Sequence, residues 1–382
     1  MFFALDYLQK FWKKYPGLFT QLSSCQDFDA CFEVIEKRKI PSRHHILISA
    51  LNNWNKHKIF YKFENTVSNE IFEHAKDAVG YIPESSVKYL PYPCFAAQIS
   101  PFTVSSKLIS ELSFTGNVFI WLDQKGLQAT FEMYKNNNEM NFCWVAMDVN
   151  DISSYAALLD YMIVDSLISH GFPFEVISVI KTILRINSFQ GIKNKYFSEI
   201  REILKQSFEF DQIDIIEKAF IRGVRNEELI KIVIQIISYL NRDGSDIEAV
   251  KEKLKQGDWA SVIGGEPRVL TSNEIEQALQ NIENIKINAF DVGYRIASRY
   301  RHSSLDNNSN EDKIETSETS KQKSYTLGYG KRRAHKHTYW IKKDGERVPI
   351  VKWVEATEIH PELRNDLATE IPVGKKQNRE KS

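Results

Sequence analysis

The spacing of hydrophobic residues changes twice along the chain. Across Ala4–Lys39 apolar side chains recur every three or four positions, which predicts two amphipathic helices, and Asn65 precedes a further short helix. Within Val87–Met147 the apolar runs are short and rich in β-branched and aromatic residues. Helical spacing returns over Ile152–Tyr300. The pattern predicts an α+β protein.

The β-rich part is predicted as a small antiparallel sheet. Val87–Ile99 has prolines in and beside it, so it suits extended or edge-strand backbone rather than helix. Asn117–Leu122, Leu127–Tyr134 and Asn141–Met147 are short runs separated by turns containing Gly or Asn. Such punctuation is typical of a meander of neighbouring antiparallel strands.

The middle of the chain is predicted to be helical. Asp151 stands before the first apolar stripe, Pro173 begins the second and Gly244 follows the fifth, as expected at helix ends. The predicted helices are Ile152–Ser169, Pro173–Ile186, Tyr196–Phe208, Gln212–Phe220, Glu227–Leu240, Ile247–Lys255, Asn273–Ile282 and Ala289–Tyr300. Acidic pairs within them, such as Glu227 and Glu228, are interpreted as solvated helix faces.

The C-terminal region combines a polar linker with a basic hairpin. His302–Ser324 has two aliphatic residues and no aromatic one, so it cannot offset its ordering entropy and is predicted to be disordered. Asp344 and Gly345 separate two β-prone runs, which is a strong hairpin signal. The predicted regions are an N-terminal α+β region at 1–150, a helical region at 151–301, the linker at 302–324, a basic β module at 325–373 and a disordered tail at 374–382.

Composition narrows the class of protein. The 382 residues are 42% hydrophobic, and no apolar run reaches the ~20 residues that span a bilayer. The N-terminus lacks the basic region of a signal peptide. The four cysteines are irregularly spaced, which argues against a disulfide scaffold or a zinc site. We therefore expect a cytoplasmic protein with reduced thiols, no cofactor and no membrane partner.

Charge is unevenly distributed although the chain is neutral overall. Ten Lys or Arg and only two acidic residues lie between Lys321 and Lys352. A cationic module is thus attached to a mildly acidic body, which suggests an anionic partner.

The basic module carries the candidate binding residues. Cations contact phosphates and aromatic faces stack on unpaired bases, so this composition favours RNA or a ribosome as partner. The alternative is that the aromatic residues pack the module as a structural lock. The candidate residues are Lys331, Arg332, Arg333, His335, Lys336, His337, Tyr339, Trp340, Lys352 and Trp353.

The histidines of the module suit two further roles. His335 and His337, with His360 as a third ligand, could bind a metal, but no cysteine or carboxylate stands at zinc-like spacing around them, so no metal site is predicted. The same pair could act as general acid and base in a ribonuclease, with Arg333 stabilising phosphate charge. Nothing in the spacing requires catalysis, so no catalytic residue is assigned.

Several segments in this order resemble a family of phage and mobile-element proteins. They are Leu90–Phe95, Tyr239–Ile247, Phe290–Ile296, Arg332–Trp340 and Val351–Trp353. The family is that of the second-described type V-A anti-CRISPR protein. The resemblance implies an inhibitor that recognises the nascent N-terminal peptide of the type V-A CRISPR nuclease and triggers loss of its mRNA. The first ~80 residues show no such resemblance.

Two hypotheses follow from residues and resemblance together. The favoured one is a non-enzymatic regulator whose body binds a protein or nascent peptide and whose basic module contacts RNA or the ribosome. The alternative is a histidine-dependent ribonuclease that acts directly on a message.

Overall fold

The computed structural model consists of two compact units, Met1–Ala297 and Ser298–Ser382. The described residues are 2–25, 28–82, 87–109, 111–124, 126–134, 141–148, 152, 154–193, 195–242, 245–252, 271–293, 330–332, 335–343, 346–354 and 357–359. The predicted linker at 302–324 and tail at 374–382 lie outside them.

The described helices all belong to the first unit. Ends at 169, 183 and 204 agree to within a few residues with the predicted ones, and Pro16–Gly17 divides the N-terminal stretch into more helices than the two predicted. The helices are α1 (Phe3–Lys14), α2 (Leu18–Leu22), α3 (Phe28–Lys37), α4 (His45–His57), α5 (Asn65–Lys76), α6 (Tyr155–Ser169), α7 (Phe174–Ile183), α8 (Phe197–Leu204), α9 (Phe210–Leu240) and α10 (Ser272–Ile285).

Strands occur in both units. Those of the first unit are β1 (Ile59–Phe63), β2 (Cys94–Gln98), β3 (Phe102–Val104), β4 (Leu112–Asp123), β5 (Gly126–Met133), β6 (Asn141–Met147), β7 (Ile247–Ala249) and β8 (Asn288–Val292). Those of the second unit are β9 (Gly330–Arg332), β10 (His335–Lys343), β11 (Glu346–Val354) and β12 (Thr357–Ile359).

The first unit contains one mixed sheet with the order β6-β5-β4-β2-β1-β8-β7, and β3 pairs with β4 off this path. The predicted meander is confirmed as β4, β5 and β6. The prediction of a small, wholly antiparallel sheet was wrong, because β1 runs parallel to both β2 and β8. A central parallel strand with both faces covered reads as a short continuous apolar run, which the sequence pattern does not distinguish from helix.

Only the first residues of two segments predicted as helices join this sheet instead, while 250–252 are helical as predicted. Ile247–Ala249 forms the edge strand β7, and Asn288–Val292 forms β8. In β8 the buried residues are Ala289, Asp291 and Val292, which fits neither a clean helical stripe nor a strict strand alternation. Tertiary pairing with β1 therefore decides the structure of a segment whose local pattern is ambiguous.

The predicted helices Gln212–Phe220 and Glu227–Leu240 are parts of one 31-residue helix, α9. Its start is fixed by Glu209 and Gln212, which form a reciprocal capping box. The intervening Gly223 reads as a break, but it lies where α9 approaches α6 so closely that an added Cβ would stand 2.8 Å from the Cα of Ile163. The glycine marks close packing rather than an end.

The N-terminal helices cover one face of the sheet. The rings of Phe3 and Phe119 meet edge-on with centroids 5.2 Å apart, and those of Phe2 and Phe60 are 5.0 Å apart. Trp54 on α4 is fully buried and donates from Nε1 to the carbonyl of Ile59, 2.7 Å away. Helix α9 packs on the other face, where Tyr239 lies 6.1 Å from Phe63. Among the described residues, no helix combines the length and apolar composition that crossing a bilayer requires.

A buried carboxylate ties α1 to the sheet. Oε1 of Glu132 on β5 accepts a 2.6 Å hydrogen bond from the hydroxyl of Tyr7. Its Oε2 accepts from Thr115 at 2.9 Å and from Asn117 at 2.5 Å on the neighbouring strand β4. The charge is thus compensated by three donors, as a buried carboxylate requires.

Tyr7→Phe should lower the free energy of unfolding by about 1–3 kcal/mol at neutral pH, because it removes a hydrogen bond to a charged group. Burial, the hydrogen bond to Glu132 and that carboxylate's charge raise the pKa of Tyr7. Because the pKa of Tyr7 is higher in the folded than in the unfolded protein, its protonated hydroxyl stabilises the fold fully at pH values below the unfolded pKa of about 10. This stabilisation is lost as the pH rises above that value. Urea unfolding from pH 7 to about pH 11 should therefore show a shallower alkaline decline for this variant than for the wild type. Tyr134→Phe, at a 58% exposed tyrosine, is the control; equal alkaline declines in all three proteins would contradict the expectation.

Candidate functional site

The C-terminal candidate residues lie on two antiparallel strand pairs of the second unit. β10 pairs with β11 over nine positions, and β9 pairs with β12. The strands place the candidates as follows: Lys331 and Arg332 on β9; His335, Lys336, His337, Tyr339 and Trp340 on β10; Lys352 and Trp353 on β11. Arg333 lies outside the described residues, as do Asp344 and Gly345 of the predicted turn and His360.

The register of β10 and β11 divides these candidates between two faces. His337 is paired with Lys352, and Lys336 with Trp353. Since register partners share a face of a ribbon and neighbours along a strand alternate, one face holds His335, His337, Tyr339 and Lys352. Lys336, Trp340 and Trp353 belong to the other face. The sequence predicted the alternation along β10 but not which residues of β11 join each face.

The described strands of this unit are strongly cationic. They contain seven Lys or Arg and two Glu. One of the acidic residues, Glu358, is the register partner of Lys331, while Arg332 is paired with Thr357. Opposite charges at paired positions favour that pairing. The described strands of this unit therefore carry a net positive charge.

In the first unit, segments far apart in sequence converge around an aromatic stack. Phe290 on β8 stacks on Tyr61 of β1, with centroids 5.3 Å apart, and on Tyr92, 6.5 Å away. Asn241, just after α9, donates from Nδ2 to the carbonyl of Tyr89 at 2.6 Å. The ring of Tyr89 is 65% exposed. The Pro-rich segment, the end of α9 and β8 therefore form one surface.

The same convergence contains a tightly constrained glycine. Gly293 has φ +81°, and its N–H donates to the carbonyl of Asp246 at 2.7 Å. An added Cβ would lie 2.1 Å from Cγ2 of Val67 and 3.6 Å from the hydroxyl of Tyr239. The guanidinium of Arg242 lies 3.9 Å from the centre of the Tyr239 ring. Only glycine satisfies both the left-handed backbone and the available space.

A row of charged residues crosses β7, β8 and β1 at the next register position. Glu248 is paired with Asp291, which is paired with Lys62. Burial lowers the pKa of Lys62, an effect that the Asp291 and Glu64 carboxylates oppose. Because neighbours in a strand point to opposite faces, this row and the aromatic stack lie on different sides of the sheet.

The family comparison covers these elements. The model of the AcrVA2-like family, the anti-CRISPR type V subtype A2 family, matches residues 61–361. The chain belongs to this family. A search of curated proteins found no match.

The anti-CRISPR family match supports an anti-CRISPR role and implies a protein partner. The matched range includes the aromatic stack, Gly293 and all ten candidate residues of the basic module. The resemblance stated from the sequence segments is thus confirmed. The expectation that the first ~80 residues lie outside it was wrong for residues 61–80, which the match includes. Helices α1–α4 lie outside the match, and the match begins within β1.

A pocket of about 150 Å³ lies between the unmatched helices and the family region. Three of the four cysteines line it, namely Cys25, Cys31 and Cys94, together with Lys56 and Asp123. Burial and the adjacent Cys25 thiol raise the pKa of Cys31 to about 12, and burial raises that of Cys94. The two buried thiols are therefore protonated and poorly nucleophilic near neutral pH. No group of described residues is arranged to hold a metal ion.

The interpretation of Glu227 and Glu228 as solvated was wrong. The side chain of Glu227 is 1% exposed and lies 2.6 Å from Nζ of Lys231 and 2.8 Å from Nζ of Lys193. Glu228 also pairs with Lys193. Burial opposes the charge of Lys193, but the two carboxylates more than offset it and raise its pKa. The four side chains form a compensated ion cluster that fixes the segment before α8 to the middle of α9.

Sequence reasoning also missed Glu132 and the aromatic stack. Glu132 stands in a strand between Phe131 and Met133, and an acidic residue within a buried apolar run was the available signal. The stack had no local signal, because Tyr61, Tyr92 and Phe290 are brought together only by the sheet order.

Proposed function

We propose that this anti-CRISPR family member recognises a nascent protein or peptide and lowers the level of its mRNA or protein. Its body, unit Met1–Ala297, binds the peptide. The basic module at 325–373 contacts RNA or the ribosome. Membership of the family supports the inhibitory role. The aromatic surface of the body and the cationic strands of the basic module support the assignment of peptide binding to the first and RNA or ribosome binding to the second.

The register of β10 and β11 is the main observation that supports binding of RNA by the basic module. One face holds two imidazoles, a phenol and an ammonium group, contributed by His335, His337, Tyr339 and Lys352. Hydrogen-bond donors that reach phosphates and a ring that stacks on unpaired bases are the groups that recognise single-stranded RNA. The seven cations of the described strands supply the long-range attraction.

The peptide-binding half is supported by the convergence of the shared segments in the body. Tyr89 is exposed and Tyr92 is half-buried beside Phe290. Aromatic side chains with one packed and one open side supply much of the binding energy in protein recognition. We assign the nascent peptide to this surface.

The RNA- or ribosome-binding role of the basic module is tested by ribosome co-sedimentation of the full-length chain carrying Arg332→Gln, on β9, and Arg333→Gln. We expect weaker association and a salt dependence flattened by about 1 for each lost phosphate contact. Lys76→Gln with Lys205→Gln, two exposed lysines of the body, is the charge-matched control. Co-sedimentation equal to that of the wild type would refute the assignment.

The ribonuclease alternative is favoured by one observation, the presence of His335, His337 and Lys352 on one face of the ribbon. Incubating the purified protein with end-labelled RNA separates it from simple binding. Cleavage that disappears in His335→Ala or His337→Ala would replace the binding proposal with an enzyme. Intact RNA together with binding supports the regulator.

The peptide surface is tested by co-expression with a type V-A CRISPR nuclease. Tyr89→Ala removes an exposed ring but leaves the backbone carbonyl that accepts from Asn241. We expect the nuclease mRNA and protein to recover in this variant but not in the control Tyr134→Ala, at another exposed tyrosine. Undiminished inhibition would refute this surface while leaving the ribbon assignment intact.

A further inference from the structure

The N-terminal helices carry a positive charge that the family match does not include. Residues 1–60 contain nine Lys or Arg and five Asp or Glu, although the whole chain is neutral. The match begins at residue 61. This charge therefore belongs to residues that lie outside the family match.

The fold gathers part of this charge at one corner. Arg38, following α3, donates from Nη1 to the carbonyl of Pro16 at 2.9 Å and from Nε to Oε1 of Gln21 at 2.8 Å. These bonds hold the end of α3 beside the turn that follows α1. The end of α1, with Lys13 and Lys14, and the end of α3, followed by Arg38 and Lys39, are therefore neighbouring helix ends.

The lysines of this corner are exposed and uncompensated. Lys13, Lys14 and Lys39 all lie at the surface, and within the described part of the chain no carboxylate forms an ion pair with them. The ammonium of Lys14 lies instead 5.3 Å from the centre of the Tyr15 ring. The helix C-termini partly balance such cations, but they do not provide a counter-ion.

An exposed aromatic side chain directly precedes Lys13 and Lys14 in α1. Trp12 on α1 is 45% exposed, and it touches Phe19 edge-on at a centroid distance of 6.2 Å. The apolar stripe of the same helix, including Leu8 and Phe11, is buried in the core. Since that stripe is occupied, α1 cannot insert an apolar face into a membrane as interfacial helices do. An exposed indole among unpaired lysines fits stacking on a base with contacts to phosphates.

We infer that this basic corner, comprising Trp12, Lys13, Lys14, Arg38 and Lys39, is a second binding surface for single-stranded RNA. Lysine ammonium groups contact successive phosphates, and Trp12 stacks on an unpaired base. An acidic peptide would use the cations but gain little from the indole. The surface goes beyond the proposed function, because it lies in helices outside the family match and does not depend on the ribbon.

The test is fluorescence anisotropy of a labelled oligouridylate of about 20 nucleotides with the full-length protein at roughly 50–200 mM KCl. Lys13→Gln, Lys14→Gln and Lys39→Gln together should weaken binding and reduce the slope of log Kd against log salt by about 2. The charge-matched control changes three exposed lysines elsewhere, Lys76, Lys205 and Lys218, to Gln. It should leave both affinity and slope close to the wild-type values.

Trp12→Leu separates stacking from charge. It keeps an apolar group against Phe19, and it should weaken RNA binding about tenfold without changing the salt slope. A melting temperature equal to that of the wild type shows that the loss is not due to unfolding. Wild-type affinity in a folded Trp12→Leu variant would overturn the stacking role.

Three outcomes decide the inference. Equal weakening of RNA binding in the corner variant and the charge-matched control would refute the inference. So would a corner variant that no longer binds anionic phosphatidylserine vesicles but still binds RNA. Loss in the corner variant but not in the control supports it. The Arg332→Gln, Arg333→Gln variant measured in parallel reports on the basic module at 325–373 and leaves the corner unchanged, so failure of the corner and failure of the proposed function are distinguishable.

Discussion

Glu227→Gln is expected to lower the free energy of unfolding by about 3 kcal/mol or more, which is a large fraction of the stability of an ordinary domain. The substitution keeps the volume but removes the charge that lies between two lysines. Lys231, only 7% exposed, would then have Glu228 as its remaining carboxylate of the cluster, at 3.9 Å. An uncompensated buried ammonium is costly, whereas the intact cluster is nearly neutral in energy.

Chemical denaturation of the purified variant measures this effect. Glu202→Gln breaks a pair with Lys205 whose side chains are 69% and 51% exposed, and it should cost no more than about 1 kcal/mol. Replacing both Glu227 and Lys231 with leucine should recover much of the lost free energy of unfolding. The double variant removes the buried ammonium of Lys231 together with the carboxylate that compensates it. A cost below about 1 kcal/mol for Glu227→Gln would show that the cluster is effectively solvated.

Gly293→Ala should destabilise the protein by about 3 kcal/mol, and Gly80→Ala supplies an unusually close control. Both glycines have φ +81°, but an added Cβ at Gly80 meets nothing within 4 Å. Gly80→Ala therefore reports the cost of the left-handed backbone alone, about 1 kcal/mol. At Gly293 the methyl group also collides with Val67, and overpacking of this kind adds about 1–3 kcal/mol.

The collision can be relieved separately. Combining Gly293→Ala with Val67→Ala should recover part of the loss, so that a double-mutant cycle gives a favourable coupling between the two sites. Equal costs for Gly293→Ala and Gly80→Ala would mean that Val67 moves away freely. Because Gly293 directly follows β8, which carries Phe290 of the aromatic stack, the same variants should also weaken inhibition of the nuclease if that stack binds the peptide.

Local signals in the sequence predicted some elements correctly. The strands β4, β5 and β6 were predicted because turn residues separate them, and the helices α6 to α8 because their apolar residues recur at helical spacing. The beginning of α9 is marked by Glu209 and Gln212, but its continuity through Gly223 depends on contact with Ile163. The elements predicted correctly are those whose structure is determined by residues close to them in the sequence.

The remainder depends on partners distant in sequence. β1 is a five-residue strand without turn punctuation, and β8 is a strand because it pairs with β1. Glu227 and Glu228 have the composition of a solvated face, and only the position of Lys193 makes them interior. The candidate residues of the ribbon could be named from composition and alternation, whereas the surface around Tyr92 required the sheet order.

The family match begins inside the central strand β1, at residue 61. Recombination at residue 61 would cut β1 between Phe60 and Tyr61, and it would exchange the helices that cover Phe119 and Trp121. An incoming N-terminal segment must therefore rebuild half of a central strand and fill the same aromatic layer. The inner face of any segment joined there is thus constrained by the aromatic layer that it has to cover.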